Sequence, residues 1–302
     1  MLYLKKLPTL AGLPGAELAV IADVARERFF PAGSPILREG EPIGSVHFVV
    51  EGSIRCRRSG RLLGVVGPGA GIGGLGLFAR DPQGVEAEAE TDTLTLELEA
   101  DAVMEVLEDR FPILLHLMRD LCRQLIDAHV RLAVDPTAGF PACDNPPVPT
   151  RELDLVERIF YMRQMVPFRE SSVNVLFELS RTLTEVRFGP GVTLWETGDV
   201  AAGIFLIVSG QVAGTVRANG LRFCAGAGIP LGSLEAVAET PRWFDAVTQT
   251  EVVALNGNAE ALVDAFEDNF EMAMDFLAVV ARVMLGIIQT RATADGSPGP
   301  GL

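Results

Sequence analysis

The feature that most constrains this chain is an internal repeat. Residues 188–210, FGPGVTLWETGDVAAGIFLIVSG, restate residues 29–52, FFPAGSPILREGEPIGSVHFVVEG. Gly33, Gly40 and Gly52 reappear as Gly191, Gly198 and Gly210, a constant shift of 158. After one inserted residue the shift becomes 159, which pairs Pro82 with Pro241, Ala87 with Ala246 and Phe111 with Phe270. A chain with two co-linear copies must fold as two similar units. Glycines seven and twelve apart, set between short runs of Val, Ile and Phe, mark strands joined by tight corners, so each unit reads as a small β-barrel.

The first copy reads P-x-G-x-x-I-x-x-x-G from Pro31 to Gly40, and the second carries G-x-x-L-x-x-x-G from Gly191 to Gly198. Each continues into an (F/L)-(V/I)-V-x-G strand end, a Gly-rich segment, a P-x-x-x-x-A segment and a long helix. This order resembles the cyclic nucleotide-binding domain family, twice over and across nearly the whole chain. The resemblance implies a mainly β, α+β architecture: two jelly-roll barrels with flanking helices, at residues 1–134 and 151–292. A proline-rich linker at 135–150 and a disordered tail at 293–302 complete the expected layout.

Composition agrees with two domains: 302 residues at 48% hydrophobic content suffice for two cores. A net charge of −15 argues against a nucleic-acid partner, because such binding is carried by Lys and Arg neutralising phosphates. Cys56, Cys122, Cys143 and Cys224 lie far apart with no C-x-x-C spacing, so neither a metal site nor a disulfide framework is expected. The N-terminus lacks a secretory apolar core and no run reaches the length of a membrane span, which points to a cytoplasmic protein with no membrane partner.

Along the chain, Leu18, Ile21 and Val24 are spaced to pack a short helix on the first barrel. Arg55, Arg57, Arg58 and Arg61 crowd a Ser59-Gly60 turn, read as a solvated hairpin tip rather than an anion site. Gly69, Gly71 and Gly74 satisfy a G-x-G-x-x-G spacing, but Pro82 and Gly84 end any helix too soon for a dinucleotide-binding unit. Asp101 to Leu132 reads as one helical reach, bent near Pro112, with Leu114, Leu117, Leu121 and Leu125 on its apolar face. His116 and His129 are too far apart on it to share a ligand, and His47 stands alone in a strand. Five prolines in Asp135–Thr150 mark the boundary. Two amphipathic pieces follow, with Val156, Ile159, Phe160 and Met165, then Val173, Leu176 and Leu179, as their apolar faces. The last helix, Glu260 to about Thr290, is apolar around most of its circumference. It needs a second surface, either its equivalent in another subunit through Phe276, Val280, Val283 and Ile287, or the Leu114–Leu125 helix.

The family cassette resembles (F/Y)-G-E-(L/I)-A-L-x-x-x-x-P-R-(A/S)-A, in which the Glu holds the ribose hydroxyl and the Arg the cyclic phosphate. In the first copy it falls on Gly73, Gly74, Leu75 and Gln83, with Gly74 for Glu and Gln83 for Arg, so both charges are missing. In the second it falls on Gly232, Ser233, Leu234, Arg242 and Trp243, with Ser233 for Glu, Arg242 retained and Trp243 for a small residue. Arg242 is either a phosphate partner or a loop arginine tied to Glu235, Glu239 or Asp245. Trp243 stacks on a base, narrows the pocket or fills core.

With no catalytic or metal motif, the resemblance implies a non-enzymatic regulator working through a protein partner. Its second pocket is expected either to be weakly competent for cyclic AMP, cyclic GMP or cyclic di-GMP or to be recruited to a different anion, and its first to be blind to cyclic nucleotides. The alternatives are a ligand-blind scaffold and, less favoured, a Crp-like transcription factor lacking its DNA-reading helices.

Overall fold

The computed structural model describes residues 3–138, 140, 143, 148–169 and 171–294, and in it the two copies build the same frame strand for strand. The first copy contributes α1 (Gly15–Val24), β1 (Arg26–Phe30), β2 (Pro35–Leu37), β3 (Ser45–Glu51), β4 (Ile54–Arg58), β5 (Arg61–Val66), β6 (Gly71–Ile72), α2 (Gly74–Ala79), β7 (Glu86–Ala89), β8 (Thr93–Glu99), α3 (Ala100–Asp109) and α4 (Phe111–Leu132). Its strands form two antiparallel four-stranded sheets, ordered β1-β8-β3-β6 and β2-β7-β4-β5. The second copy contributes α5 (Leu155–Gln164), α6 (Val173–Thr182), β9 (Thr184–Phe188), β10 (Thr193–Trp195), β11 (Gly203–Ser209), β12 (Val212–Thr215), β13 (Arg222–Ala225), β14 (Pro230–Leu231), α7 (Ser233–Ala238), β15 (Asp245–Thr248), β16 (Val252–Asn258), α8 (Ala259–Asp268) and α9 (Phe270–Ala294). Its sheets, β14-β11-β16-β9 and β10-β15-β12-β13, repeat the first pair element by element. The fold is α+β: two β-barrel units of jelly-roll type with flanking helices.

The repeated glycines have a steric cause. Gly52 and Gly210 both sit at positive φ, and a Cβ there would lie 2.3 Å from Asp92 O and 2.1 Å from Glu251 O respectively. Each follows a register shift in the β3/β8 or β11/β16 ladder, so the corner closes only without a side chain.

Two helical reaches are broken where the sequence suggested continuity. α3 and α4 are separated at Arg110, whose backbone is not helical; Pro112, in the first turn of α4, has no N–H to carry the α3 ladder onward to the Glu108 carbonyl. α8 and α9 part at Asn269, whose Oδ1 accepts from Met272 N at 2.8 Å and caps the new helix.

The chain divides into two compact units whose limits differ from 1–134 and 151–292. Residues 3–117 with 280–294 form unit 1, and residues 118–279 form unit 2. The divisions fall inside α4 and α9 rather than at the proline-rich stretch. A helix apolar around its circumference carries burial surface beyond the barrel that precedes it. Within the linker, Asp135 Oδ1 accepts from Thr137 N and Oγ1, and Cys143 Sγ meets Gln164 O at 3.1 Å. Residues 139, 141, 142 and 144–147, and the tail 295–302, lie outside the described residues.

Phe276, Val280 and Ile287 are buried within the single chain and Val283 is half-buried. Phe276 packs against Phe266 of α8 at 5.1 Å. A seam with a second copy through these residues would first have to unpack them. At α5 and α6 the apolar faces expected from spacing are only partly inward. Met165, Leu176 and Leu179 are buried, whereas Val156 is 76% exposed, Phe160 48% and Val173 57%. Tyr161 and Met162 supply the buried face of α5 instead.

The tip of the arginine hairpin is exposed at Ser59, Gly60 and Arg61, while the arginines below it face acidic partners. Arg55 and Arg57 stand opposite Glu88 and Glu86 across the β4/β7 ladder, and Arg55 also forms an ion pair with Glu90. Arg61 is exposed.

Candidate ligand-binding cassettes

In both units the segment between the two sheets is a short helix, α2 or α7, entered through a positive-φ glycine and left through a left-handed residue, Arg80 or Glu239. The loops that follow superpose in hydrogen bonding: Gly40 N donates to Gln83 O at 2.7 Å, and Gly198 N to Arg242 O at 2.8 Å. Gln83 and Arg242 are therefore structural equivalents, as the repeat predicts, and so are their successors Gly84 and Trp243.

In the second cassette Arg242 is 4% exposed and turned inward. Its Nη1 lies 3.3 Å from Glu235 Oε1 and donates to Gly232 O at 3.2 Å. Nη2 donates to Gly203 O, and the guanidinium carbon sits 4.0 Å over the Trp195 ring. Gly232 sits at φ +85°, where a side chain is strained, and a Cβ there would also press on Arg242 Nη1 at 2.3 Å. Glu235 is 1% exposed. Burial pushes its carboxyl above the ordinary range, against the pull of Arg242. Burial likewise pushes the Arg242 guanidinium below its usual value, against the pull of Glu235. Of the partners foreseen for Arg242, Glu235 is the one in contact. Glu239 instead meets Arg119 of α4, and Asp245 meets Arg217 at 2.7 Å.

Ser233 is not brought to the same space. Its Oγ donates to Pro230 O at 3.0 Å, and it lines a small apolar cavity with Ile204, Leu206, Leu262 and Phe266. Ile204 and Leu206 point to one side of β11 while Phe205 and Ile207 point to the other, into the barrel cluster that holds Trp243. Leu234 is half-buried. Trp243, 9% exposed, lies edge-on to Phe244 at 4.9 Å and stacks with Phe223 at 6.5 Å and with His129 at 5.6 Å. Core is its place. His129 is buried and neutral: its Nδ1 lies 3.0 Å from Val134 O, and burial pushes its pKa down.

In the first cassette Gly73 must lack a side chain, because a Cβ would meet Ser45 O at 2.7 Å. Gly74, by contrast, has room for one, with Phe78 and Val46 both 3.8 Å away, so the absent Glu is not a steric necessity. Leu75 is half-buried. Gln83 is exposed and spends its amide on neighbours: Nε2 donates to Glu39 Oε1 at 2.9 Å and Ser59 Oγ at 2.7 Å, and Oε1 accepts from Arg58 Nη2 at 2.9 Å. Arg58, near the hairpin tip, forms a two-pronged ion pair with Asp81. Strand alternation turns Arg58 to the face of β4 opposite Arg55 and Arg57, away from the β7 glutamates and toward Asp81. That alternation is legible in the sequence, but the partner it meets is not.

On the barrel side of β3, His47 Nε2 is 2.8 Å from Ser45 Oγ and Nδ1 is 3.2 Å from Thr95 Oγ1. Burial, then the Arg28 charge, lowers its pKa to about 4, so it is a neutral, satisfied core group. Among the described residues no set of His, Cys, Asp and Glu is placed to hold a metal ion, and no helix is long and apolar enough to cross a membrane.

Residues 27–110 match the family model described as the cyclic nucleotide-binding domain. No curated protein sequence matches. Among solved structures the chain is similar to the regulatory domain of Toxoplasma gondii protein kinase A with cAMP, at 15% identity, covering 91% of this chain and 92% of that one, TM-score 0.36. It is also similar to the regulatory subunit of a cAMP-independent protein kinase A from Trypanosoma brucei (17%, 97% and 90%, TM-score 0.34). A third is the N-terminal domain of a transcriptional regulator from Streptomyces coelicolor A3(2) (26%, 45% and 99%, TM-score 0.38).

Proposed function

Since residues 27–110 belong to the cyclic nucleotide-binding domain family and the second half repeats the same strand order, we propose that this chain is a non-enzymatic regulatory protein whose cassettes are neutralised from within and which acts by contact with another protein. The observation that carries the reading is the burial of Arg242 against Glu235. A cyclic phosphate gains from a guanidinium only if that group's charge is free, and here an internal carboxylate, two carbonyls and a ring already hold it. Arg58, which reaches the first cassette at Gln83, is likewise held by Asp81. Displacing either carboxylate would leave a second anion unpaired beside the phosphate, which opposes binding. The reading therefore shifts from weak nucleotide sensing in the second unit toward ligand-blind interaction.

All four cysteines are free, which fits a reducing, cytoplasmic setting. The net charge of −15 speaks against a nucleic-acid partner. Isothermal titration of the full chain with cyclic AMP, cyclic GMP and cyclic di-GMP tests the proposal, and no heat of binding at up to millimolar nucleotide is expected. Micromolar binding that Arg242→Ala abolishes would refute it.

A further inference from the structure

Extending that reading, we propose that Trp243 is a built-in occupant of the second barrel: a tethered planar ring that holds α4 and α7 closed without any external ligand. The first unit shows what the frame requires without it, because the equivalent position is Gly84. Around Trp243 the second barrel is fitted for a stack of rings. Phe223 lies within 21° of parallel to it on the β13 side, and His129 within 10° on the α4 side. Phe223 itself needs Gly214 opposite, where a Cβ would fall 2.1 Å from its ring. In the first unit the paired positions are Cys56 and Gly64, so that ring is absent too.

The Trp243 Nε1 makes no hydrogen bond of good geometry, though it faces the Glu235 carboxylate and favours its charged form, so the indole contributes chiefly its faces and its volume. α4 then closes over the stack. Ile126 and Val130 pack against the same cluster, Arg123 Nε donates to Ala238 O at 3.1 Å at the end of α7, and Arg119 pairs with Glu239 just beyond it. Asn219 Nδ2 donates to Val130 O at 2.7 Å from the barrel side. A diffusible ring would lose translational freedom on entering such a stack, whereas a tethered one does not, so the closed arrangement is the ground state of this unit. The site left by removing it would take a neutral, planar aromatic molecule.

Hydrogen exchange by mass spectrometry on the full chain tests this, with indole as the probe. In Trp243→Gly, exchange of residues 118–132 and 233–238 is expected to rise by about tenfold or more while residues 26–66 stay protected, and millimolar indole is expected to slow it again. His129→Leu keeps volume but removes the stacked ring, and is expected to raise exchange in 118–132 alone. Unchanged exchange in both variants overturns the proposal. So does a rise across all of unit 2 that indole does not reverse, which would make Trp243 ordinary core. No nucleotide enters the experiment, so the fate of the Arg242 reading is decided separately.

Discussion

Glu235→Gln isolates the electrostatics of the second cassette. The substitution keeps shape and a carbonyl acceptor but leaves Arg242, 4% exposed, without its counter-charge. Breaking a buried pair by removing one partner costs about 3–5 kcal/mol, most of it the unpaired charge. Arg242 retains the carbonyls of Gly203 and Gly232 and the Trp195 face, the last worth about 2 kcal/mol when desolvated. The expected loss is therefore at the low end, about 3 kcal/mol, or a fall in Tm of about 6–12 °C for a unit of this size. Both tryptophans, Trp195 and Trp243, belong to unit 2, so thermal unfolding followed by tryptophan fluorescence reports on that unit. Replacing the pair together, Glu235→Leu with Arg242→Met, is expected to recover to within about 1 kcal/mol of wild type, because two desolvated charges leave at once. A loss under about 0.5 kcal/mol would mean that the pair is not desolvated and that the cassette is not neutralised from within.

His47, lowered to about 4 by burial, contributes stability that is complete above pH 6.5 and is lost as pH falls toward 4, worth about 3 kcal/mol. His47→Gln should flatten that acid limb in hydrogen exchange of β3 and β8. Gly52→Ala and Gly210→Ala should each cost more than about 2 kcal/mol in chemical denaturation, since a Cβ at positive φ also meets a carbonyl oxygen inside 2.4 Å. A neutral result would show that the corner relaxes. Val280→Glu with Ile287→Glu should destabilise an already monomeric chain rather than dissociate a dimer, because both side chains are buried within it. Light scattering of the wild type at tens of micromolar that gives twice the chain mass would reverse this.

Much of the architecture was legible in one dimension because turn chemistry is local. Gly52 and Gly210 announce a corner that no other residue can make, and a second co-linear copy turned a pattern into a frame. The equivalence of Gln83 with Arg242 came from the same arithmetic and is matched by backbone bonds to Gly40 and Gly198. The breaks at Arg110 and Asn269 are local as well, one marked by Pro112 and the other by an asparagine cap that spacing alone does not distinguish from an interior polar residue.

By itself, then, the sequence determined two copies, their strands and the charges each cassette lacks, since these depend on residues near one another in the chain. Only the tertiary structure decided which partner each remaining charge keeps. Glu235 captures Arg242 and Asp81 captures Arg58 because helix α7 and strand β4 aim those side chains, and aim is a matter of three-dimensional placement. It decided equally that Ser233 and Trp243 lie on opposite sides of β11, and that α4 from Met118 and α9 from Val280 leave the unit they begin in. Periodicity tells that a helix has an apolar face; it does not tell which surface, many residues away, that face will cover.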